Sequence, residues 1–383
     1  MKIQRSIVSE FEEYLKIFPV TGIIGPRQVG KTTLTKQIEL ERSFEYLDLE
    51  KPEDRLKLSD PVLYFSEFQE KDFIIDEIQL LPNLFPTLRG IIDQNRRPGR
   101  FIILGSASPE IINKSSETLA GRIGYLELTP FLLNEVGALD QLWLRGGFPL
   151  SFLANNENAS HLWRKNFINT YIQLDLGKLG MQTDVQIMER FWYLLASSHG
   201  NLLNIESLTK SLDVSRFTVS RYLNFLEGAF MIRLLRPWFT NTTKRLIKSP
   251  KVYIRDSGIL HSLLGLTSIE SIINNIQLGN SWEGFVVEQI SNALPMGFKP
   301  FFYRTVQGAE SDMVLEKNGK VVALIEIKHS TVPKLNKGFR IAMEDTKSPI
   351  GFLIGKSKET YKIEKNITVT NLESFISSLL PSL

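Results

Sequence analysis

Residues Gly25, Pro26, Arg27, Gln28, Val29, Gly30, Lys31 and Thr32 follow the pattern G-x-x-x-x-G-K-[ST], with Thr33 directly behind. That spacing cradles phosphate. Gly30 lets backbone N–H groups curl around the oxygens, Lys31 reaches the β- and γ-oxygens, and the Thr32 hydroxyl ligates magnesium. Further along, an apolar stretch ends on two adjacent acids, Asp76 and Glu77. At a strand end Asp76 would hold the magnesium through its water shell, and Glu77 would polarise an attacking water. ATP and Mg2+ are the ligands these two motifs predict. The run RFIILGSAS ends a further apolar stretch at Ser106. A polar side chain there either senses the γ-phosphate or caps the helix that follows. A third set lies far downstream, where Asp312 precedes Glu326-Ile-Lys328. Two carboxylates and a lysine suit one or two magnesium ions beside a phosphodiester.

These residues need elements to hold them. Apolar runs at Val20–Ile24, Phe44–Leu49, Phe73–Ile75, Phe101–Leu104 and Ile123–Leu128 alternate with helical stretches. Continuous apolar strands between helices predict a parallel sheet covered on both faces. The helix opening near Lys31 would aim its positive end at the bound anion. Downstream, the spacing predicts helices over His161–Leu174 and Val185–Ser197, then a short helix marked by Leu208 and Leu212. Ser215 suits an N-cap for the next helix, whose buried stripe would be Val219, Tyr222, Leu223 and Leu226. That leaves Arg216, Thr218, Ser220, Arg221 and Asn224 on exposed or flanking surfaces, followed by a hairpin bearing Lys244, Arg245, Lys248 and Lys251. The arrangement is that of a DNA-reading helix with a basic wing, or of a winged helix that only packs against protein. Near the end, Glu326 and Lys328 stand two apart on a predicted strand and so leave one face, which Asp312 can approach from a hairpin partner.

The chain has 383 residues, 43% hydrophobic and 23% charged, an ordinary globular composition with room for two or three cores. It has no cysteine, which excludes disulfides and thiolate metal sites, and its four histidines are scattered. The N-terminal segment is polar and amphipathic, and no apolar run approaches the ~20 residues of a membrane span, so a cytoplasmic location is expected. Between Asn204 and Arg255 stand ten basic residues and three acidic ones, whereas residues 1–203 hold 22 basic and 26 acidic. A basic segment between near-neutral neighbours is either a polyanion-binding module or a solvated cationic face.

Residues 20–130 resemble an AAA+ ATPase core. Over nearly its whole length the chain is similar to a bacterial and archaeal group that joins such a core to a winged helix and a C-terminal restriction-endonuclease-like domain. The resemblance rests on GPRQVGKTTL, IIDEIQ, LGSAS, AGR, the Gly146–Pro149 run GGFP and the late Glu-Ile-Lys. It implies an α/β fold with an AAA+ P-loop core (1–145), a helical lid (146–183), a winged helix with basic hairpin (184–269) and the nuclease-like domain (270–383). It places Arg122 where AAA+ proteins carry an arginine finger that reaches a neighbour's γ-phosphate, the alternative being a plain surface arginine. Glu283 becomes an extra acid beside Asp312 and Glu326, and Arg145 and Arg164 are both candidates for a lid sensor. The implied function is an ATP-driven motor or remodeller of duplex or branched DNA, assembled as a homo-oligomeric, hexameric ring. Its C-terminal domain would either cut DNA with a metal or only bind it. A signalling or defence switch and a protein-remodelling ATPase are the alternatives.

Overall fold

Each of the five early apolar runs becomes a strand: β1 (Val20–Gly25), β2 (Phe44–Asp48), β3 (Asp72–Asp76), β4 (Phe101–Ser106) and β5 (Ile123–Glu127). They form one parallel sheet in the order β2-β3-β4-β1-β5. Strand alternation sends Val20, Leu47, Phe73, Ile75, Phe101 and Ile103 to one face, against Phe85, Leu88 and Ile92 of the helix Leu84–Gln94. Ile23, Ile74, Ile102, Leu104 and Leu126 go to the other, against Phe11 and Leu15 of the helix Val8–Ile17 and Leu34 of the helix Lys31–Gln37. Burial on both faces explains why these strands are continuously apolar rather than alternating. Because the strands are parallel, Gly25, Asp76 and Ser106 all end at one edge of the sheet. With β4 lying between β1 and β3, the loops after those two strands flank a crevice.

The computed structural model describes residues 3–37, 43–106, 118–179, 181, 183–239 and 246–383. The chain divides into two compact units, Met1–Pro130 with Leu176–Gln182 and Asn224–Phe230, and Phe131–Asp175 with Thr183–Leu223 and Met231–Leu383. The parallel sheet belongs to the first.

In the second unit the helix expected over 161–174 spans Glu157–Thr170 and continues as a π-helical turn, Tyr171–Asp175. It begins four residues early because Asn156 caps it, its Oδ1 accepting from Ala159 N–H at 2.9 Å. The helix Val185–Ser197 is capped by Asp184, and Ile205–Leu212 is capped by Asn204 and closed by Asp213 in the left-handed region. The helix Arg216–Gly228 starts where expected, with Ser215 Oγ accepting from Thr218 N–H at 3.1 Å. Val219, Tyr222, Leu223 and Leu226 on it are buried. An antiparallel pair follows, β6 (Ile232–Leu235) and β7 (Lys251–Ile254).

A helix Leu278–Ala293 leads into a six-stranded sheet of β8 (Phe298–Arg304), β9 (Glu310–Lys317), β10 (Lys320–Ile327), β11 (Gly351–Gly355), β12 (Tyr361–Glu364) and β13 (Ile367–Asn371). Its order is β12-β13-β11-β10-β9-β8. The β8-β9-β10 meander is antiparallel, and β11 and β13 run parallel to β10. Phe339, Ala342 and Met343 of the helix Lys337–Thr346 pack on Tyr303, Val314, Leu324 and Leu353 of this sheet. Among the described residues, no helix is long and apolar enough to cross a membrane.

Candidate functional site

The loop after β1 takes its shape from two backbone constraints. At Gly25 a side chain is impossible, since a Cβ would lie 2.3 Å from the Leu128 carbonyl oxygen. At Gly30 the φ of 97° is one that favours glycine. Pro26 and Val29 are buried, Arg27 is half-buried, and Gln28 and Thr33 are exposed. Arg27 lies 3.7 Å from Glu50. Lys31 is buried and donates back to the Gly25 and Pro26 carbonyls at 3.1 and 2.9 Å. Burial pulls its ammonium pKa down to about 8, against the opposing pull of Glu77 and Asp76. Thr32 Oγ1 donates to Asp76 Oδ2 at 2.8 Å. The phosphate loop and the acid at the end of β3 are thus joined side chain to side chain.

Glu77 follows in the left-handed region, φ 56°, and its carboxylate accepts from the Gln79 amide. Burial raises the Glu77 pKa, with Gln79 and Lys31 opposing. Two further residues meet this site that the motifs alone did not single out. Tyr46 on β2 donates its hydroxyl to Asp76 Oδ2. Arg5 donates to the Thr129 carbonyl at 2.5 Å and the Val29 carbonyl at 3.5 Å, bracing the loop from behind. The signal for Tyr46 was sheet order, because β2 is the neighbour of β3 and Asp48 stands level with Asp76.

Ser106 ends β4 level with Gly25, and its side chain lies outside what is described. Arg122 sits at the other pole of the sheet. Its carbonyl accepts from Val20 N–H at the start of β1, and Gly25 lies five residues further on, roughly 17 Å at ~3.3 Å per strand residue. There its guanidinium grips Asp93 twice, at 2.6 and 3.0 Å. Arg122 therefore lies apart from the phosphate loop of its own chain. Arg145 is bound to Glu157 and to the Phe152 and Ala154 carbonyls, and Arg164 donates to the Leu144 and Gly258 carbonyls. Both are buried, tied into the second unit's own backbone.

On the helix Arg216–Gly228, Arg216 is 70% exposed and 3.0 Å from Glu206, Thr218 is engaged with Ser215, and the Arg221 guanidinium lies over the Tyr222 ring. Lys244 and Arg245 lie outside the described residues, and Lys248 is exposed. Lys251, expected on the basic wing, is a correction: its side chain is 3% exposed and turned inward. Arg233 and Arg255 are likewise committed internally, each holding Glu288 at 2.7 Å. Part of the basic excess of residues 204–255 thus answers acids supplied from further down the chain.

Those acids surround the third motif. Asp312 on β9 and Glu326 on β10 are buried on neighbouring strands, with Met313 paired to Ile325. Lys328 Nζ lies 2.7 Å from Glu326 Oε1, which also accepts from Asn336 Nδ2 at 2.6 Å. Asp312 Oδ2 accepts from Ile327 N–H at 2.9 Å. Glu283, on the helix Leu278–Ala293, accepts from the Tyr253 hydroxyl at 2.6 Å. Among them lies the Lys251 ammonium, 2.9 Å from Glu283, 3.2 Å from Glu310 and 3.4 Å from Asp312. Burial raises the Glu326 pKa to about 8, aided by Asp312, and raises Glu283 as well. Burial would lower Lys251, but Glu283, Tyr253, Asp312 and Glu310 outweigh it and hold its pKa well above the usual value. Among the described residues, no group of three or more histidines and carboxylates is placed to hold a metal ion. As arranged, the Glu283, Asp312 and Glu326 set does not fit a divalent cation.

Residues 18–137 match a family described as an AAA domain, residues 136–270 a domain of unknown function (DUF8612), and residues 278–375 another (DUF4143). The chain is 41% identical over 344 residues to the uncharacterized protein Rv2008c of Mycobacterium tuberculosis, covering 89% of this chain and 77% of that one. Mb2031c of Mycobacterium bovis gives the same figures. An uncharacterized protein of Haemophilus influenzae is 24% identical over 246 residues, 58% of this chain and 60% of that one. Among solved structures, the Walker-type ATPase PABY2304 of Pyrococcus abyssi matches with a TM-score of 0.48 at 16% identity, covering 69% of this chain and 96% of that one. The match to the two mycobacterial proteins spans most of both partners, and residues 18–137 fit the AAA domain: the chain belongs to the family of those proteins and is an AAA+ P-loop ATPase.

Proposed function

We propose that the chain hydrolyses ATP–Mg2+ in the crevice between β1 and β3 and spends that hydrolysis on DNA held by the helix Arg216–Gly228. The observation that carries the first half is the Thr32–Asp76 hydrogen bond at 2.8 Å, with Glu77 next in the chain. The donor set fits the nucleotide. Lys31 and the N–H groups of the Gly25–Thr33 loop would take the phosphates, and Thr32 with Asp76 would hold magnesium, which would supply charge neutralisation for the phosphates. Glu77 would orient the attacking water and accept its proton, and Gln79 would set where that carboxylate points. Tyr46, bonded to the same oxygen of Asp76 as Thr32, would keep the acid in line.

Arg122 supports assembly of copies into a ring. It stands at the far pole of its own sheet, so the γ-phosphate it would stabilise is one on a neighbouring subunit. In this reading residues 146–183 act as the lid, 184–269 as a winged helix and 270–383 as a domain of restriction-endonuclease-like topology. The C-terminal acids are left out of catalysis because Lys251 already meets them. DNA is preferred over a protein partner for the exposed Arg216 and Lys248, whose charges suit phosphate more than any particular peptide. The test is the steady-state ATPase rate without DNA and with single strands, duplex and four-way junctions. Stimulation by a DNA form supports the reading. A rate indifferent to all of them points to a protein-remodelling ATPase, and stoichiometric binding with very slow turnover points to a switch.

A further inference from the structure

The acidic cluster of the C-terminal sheet already contains a cation, and it is part of the chain. Lys251 Nζ has three donors and meets three carboxylates, Glu283, Glu310 and Asp312, at 2.9, 3.2 and 3.4 Å. The ring of Phe302 lies 5.7 Å from the same ammonium. We propose that the Lys251 ammonium is the resident cation of this cluster, standing where a nuclease of this layout would carry a divalent metal, so that the site takes up no metal ion while β7 stays docked.

Three observations support this. First, both oxygens of Asp312 and one oxygen each of Glu283 and Glu326 already accept from donors of the chain. Asp312 accepts from Ile327 N–H and from Lys251, Glu283 Oε1 accepts from Lys251 and Tyr253, and Glu326 Oε1 accepts from Asn336 and Lys328. A metal would have to displace several of these donors at once to gather oxygen ligands. Second, the ammonium is held inside, its side chain only 3% exposed. All four residues of β7 are buried, and Lys251 pairs with Leu235 on β6 and bridges to Leu202. The strand that carries it is therefore fixed in register beside the cluster. Third, a divalent ion among these acids would share a buried, low-dielectric space with the ammonium, where like-charge repulsion is least screened. Charge balance points the same way, since a buried ammonium and the acids paired with it are stable only while both are present.

The probe is Mn2+, titrated into the nucleotide-free full-length protein and followed by electron paramagnetic resonance and by thermal melting. Wild type should show no Mn2+ site that depends on Asp312. Lys251→Met, which keeps an unbranched stem of nearly the same length and removes the charge, should gain one Mn2+ per chain, on the order of tenfold tighter than any wild-type binding, as expected when the coordinating oxygens are released. Adding Asp312→Asn to that variant should remove the new site, whereas Lys251→Arg should behave as wild type. The proposal is overturned if wild type binds Mn2+ in an Asp312-dependent way, or if folded Lys251→Met gains no site. If Lys251→Met does not fold, wild type and Lys251→Arg decide. Asp312-dependent Mn2+ binding by either overturns the proposal, and its absence from both supports it. Metal held through Thr32 and Asp76 is insensitive to Asp312→Asn and does not confuse the result.

Discussion

Replacing Glu288 with glutamine should cost the second unit about 3 kcal/mol at neutral pH, and the figure follows from its surroundings. Glu288 is 7% exposed and accepts from Arg233 and Arg255 at 2.7 Å each and from Asn292 at 2.8 Å. Burial alone would raise its pKa. The two guanidiniums override that and bring it from 4.5 to about 2. The folded protein therefore holds the proton more weakly than the unfolded chain does, so ionised Glu288 stabilises the fold above its unfolded pKa. The difference between 4.5 and 2 amounts to about 3 kcal/mol, fully present at pH 7 and lost as pH falls from about 4.5 towards 2. Glutamine leaves two arginines sharing one neutral acceptor, the situation in which a broken buried pair costs about 3–5 kcal/mol. For a unit of this size that means a melting temperature lower by roughly 6–12 °C. Tryptophan-fluorescence melts of wild type and Glu288→Gln, taken at pH 7 and again near pH 3.5, measure both the gap and its narrowing in acid. Melts that coincide at pH 7, or a gap that is the same at both pH values, would refute the assignment of this stability to the ionised carboxylate.

Glu77→Gln should still bind ATP but turn over on the order of a hundredfold more slowly, because the proton acceptor is gone while the phosphate contacts remain. Lys31→Ala should instead lose nucleotide affinity, and equal turnover by wild type and Glu77→Gln would sink the assignment. Mixing Arg122→Ala subunits with Lys31→Ala subunits should restore part of the ATPase rate, since each Arg122→Ala subunit keeps a sound phosphate loop and borrows an arginine. No recovery at any ratio, once mixed assembly is confirmed, counts against the finger. Reversing Arg216 and Arg221 to glutamate should weaken DNA binding and flatten its salt dependence by about one log–log unit per lost phosphate contact. Unchanged affinity and slope would assign that helix to protein contacts.

The strands and loop of the candidate phosphate site were legible because their signals are local. A buried parallel strand must be continuously apolar, and the loop pattern from Gly25 to Thr32 and the acid pair Asp76–Glu77 each sit directly after such a run. What stayed hidden depends on pairing across the fold. Tyr46 reaches Asp76 from thirty residues away, and nothing around it in the sequence marks it as more than a strand aromatic. The basic segment misled for the same reason. Counting charge along the chain treats Lys251, Arg233 and Arg255 as free, yet their carboxylates arrive 32 to 61 residues later, on a helix and a strand whose packing the count does not see. The helix start at Glu157 was displaced by a cap: apolar spacing begins at Leu162, but Asn156 had already satisfied the first turn.

The backbone around the phosphate site carries a conformational cost at two non-glycine positions. Six non-glycine residues among those described have positive φ. Asp213 and Lys347 close helices, Phe230 lies in the turn just after the helix Arg216–Gly228, and Asn318 turns the Asn-Gly hairpin between β9 and β10. Gln28 and Glu77 neither close a helix nor turn a hairpin, yet both flank the same crevice, at φ 62° and 56°. Such residues store on the order of 1–3 kcal/mol each and persist only where the surroundings over-determine them. The two differ in what can be done about it. At position 28 asparagine tolerates the conformation better and relieves the backbone without touching a carboxylate. At position 77 any residue that relaxes the chain removes the acid. Selection for heat resistance and selection for turnover would therefore agree at Gln28 and oppose each other at Glu77.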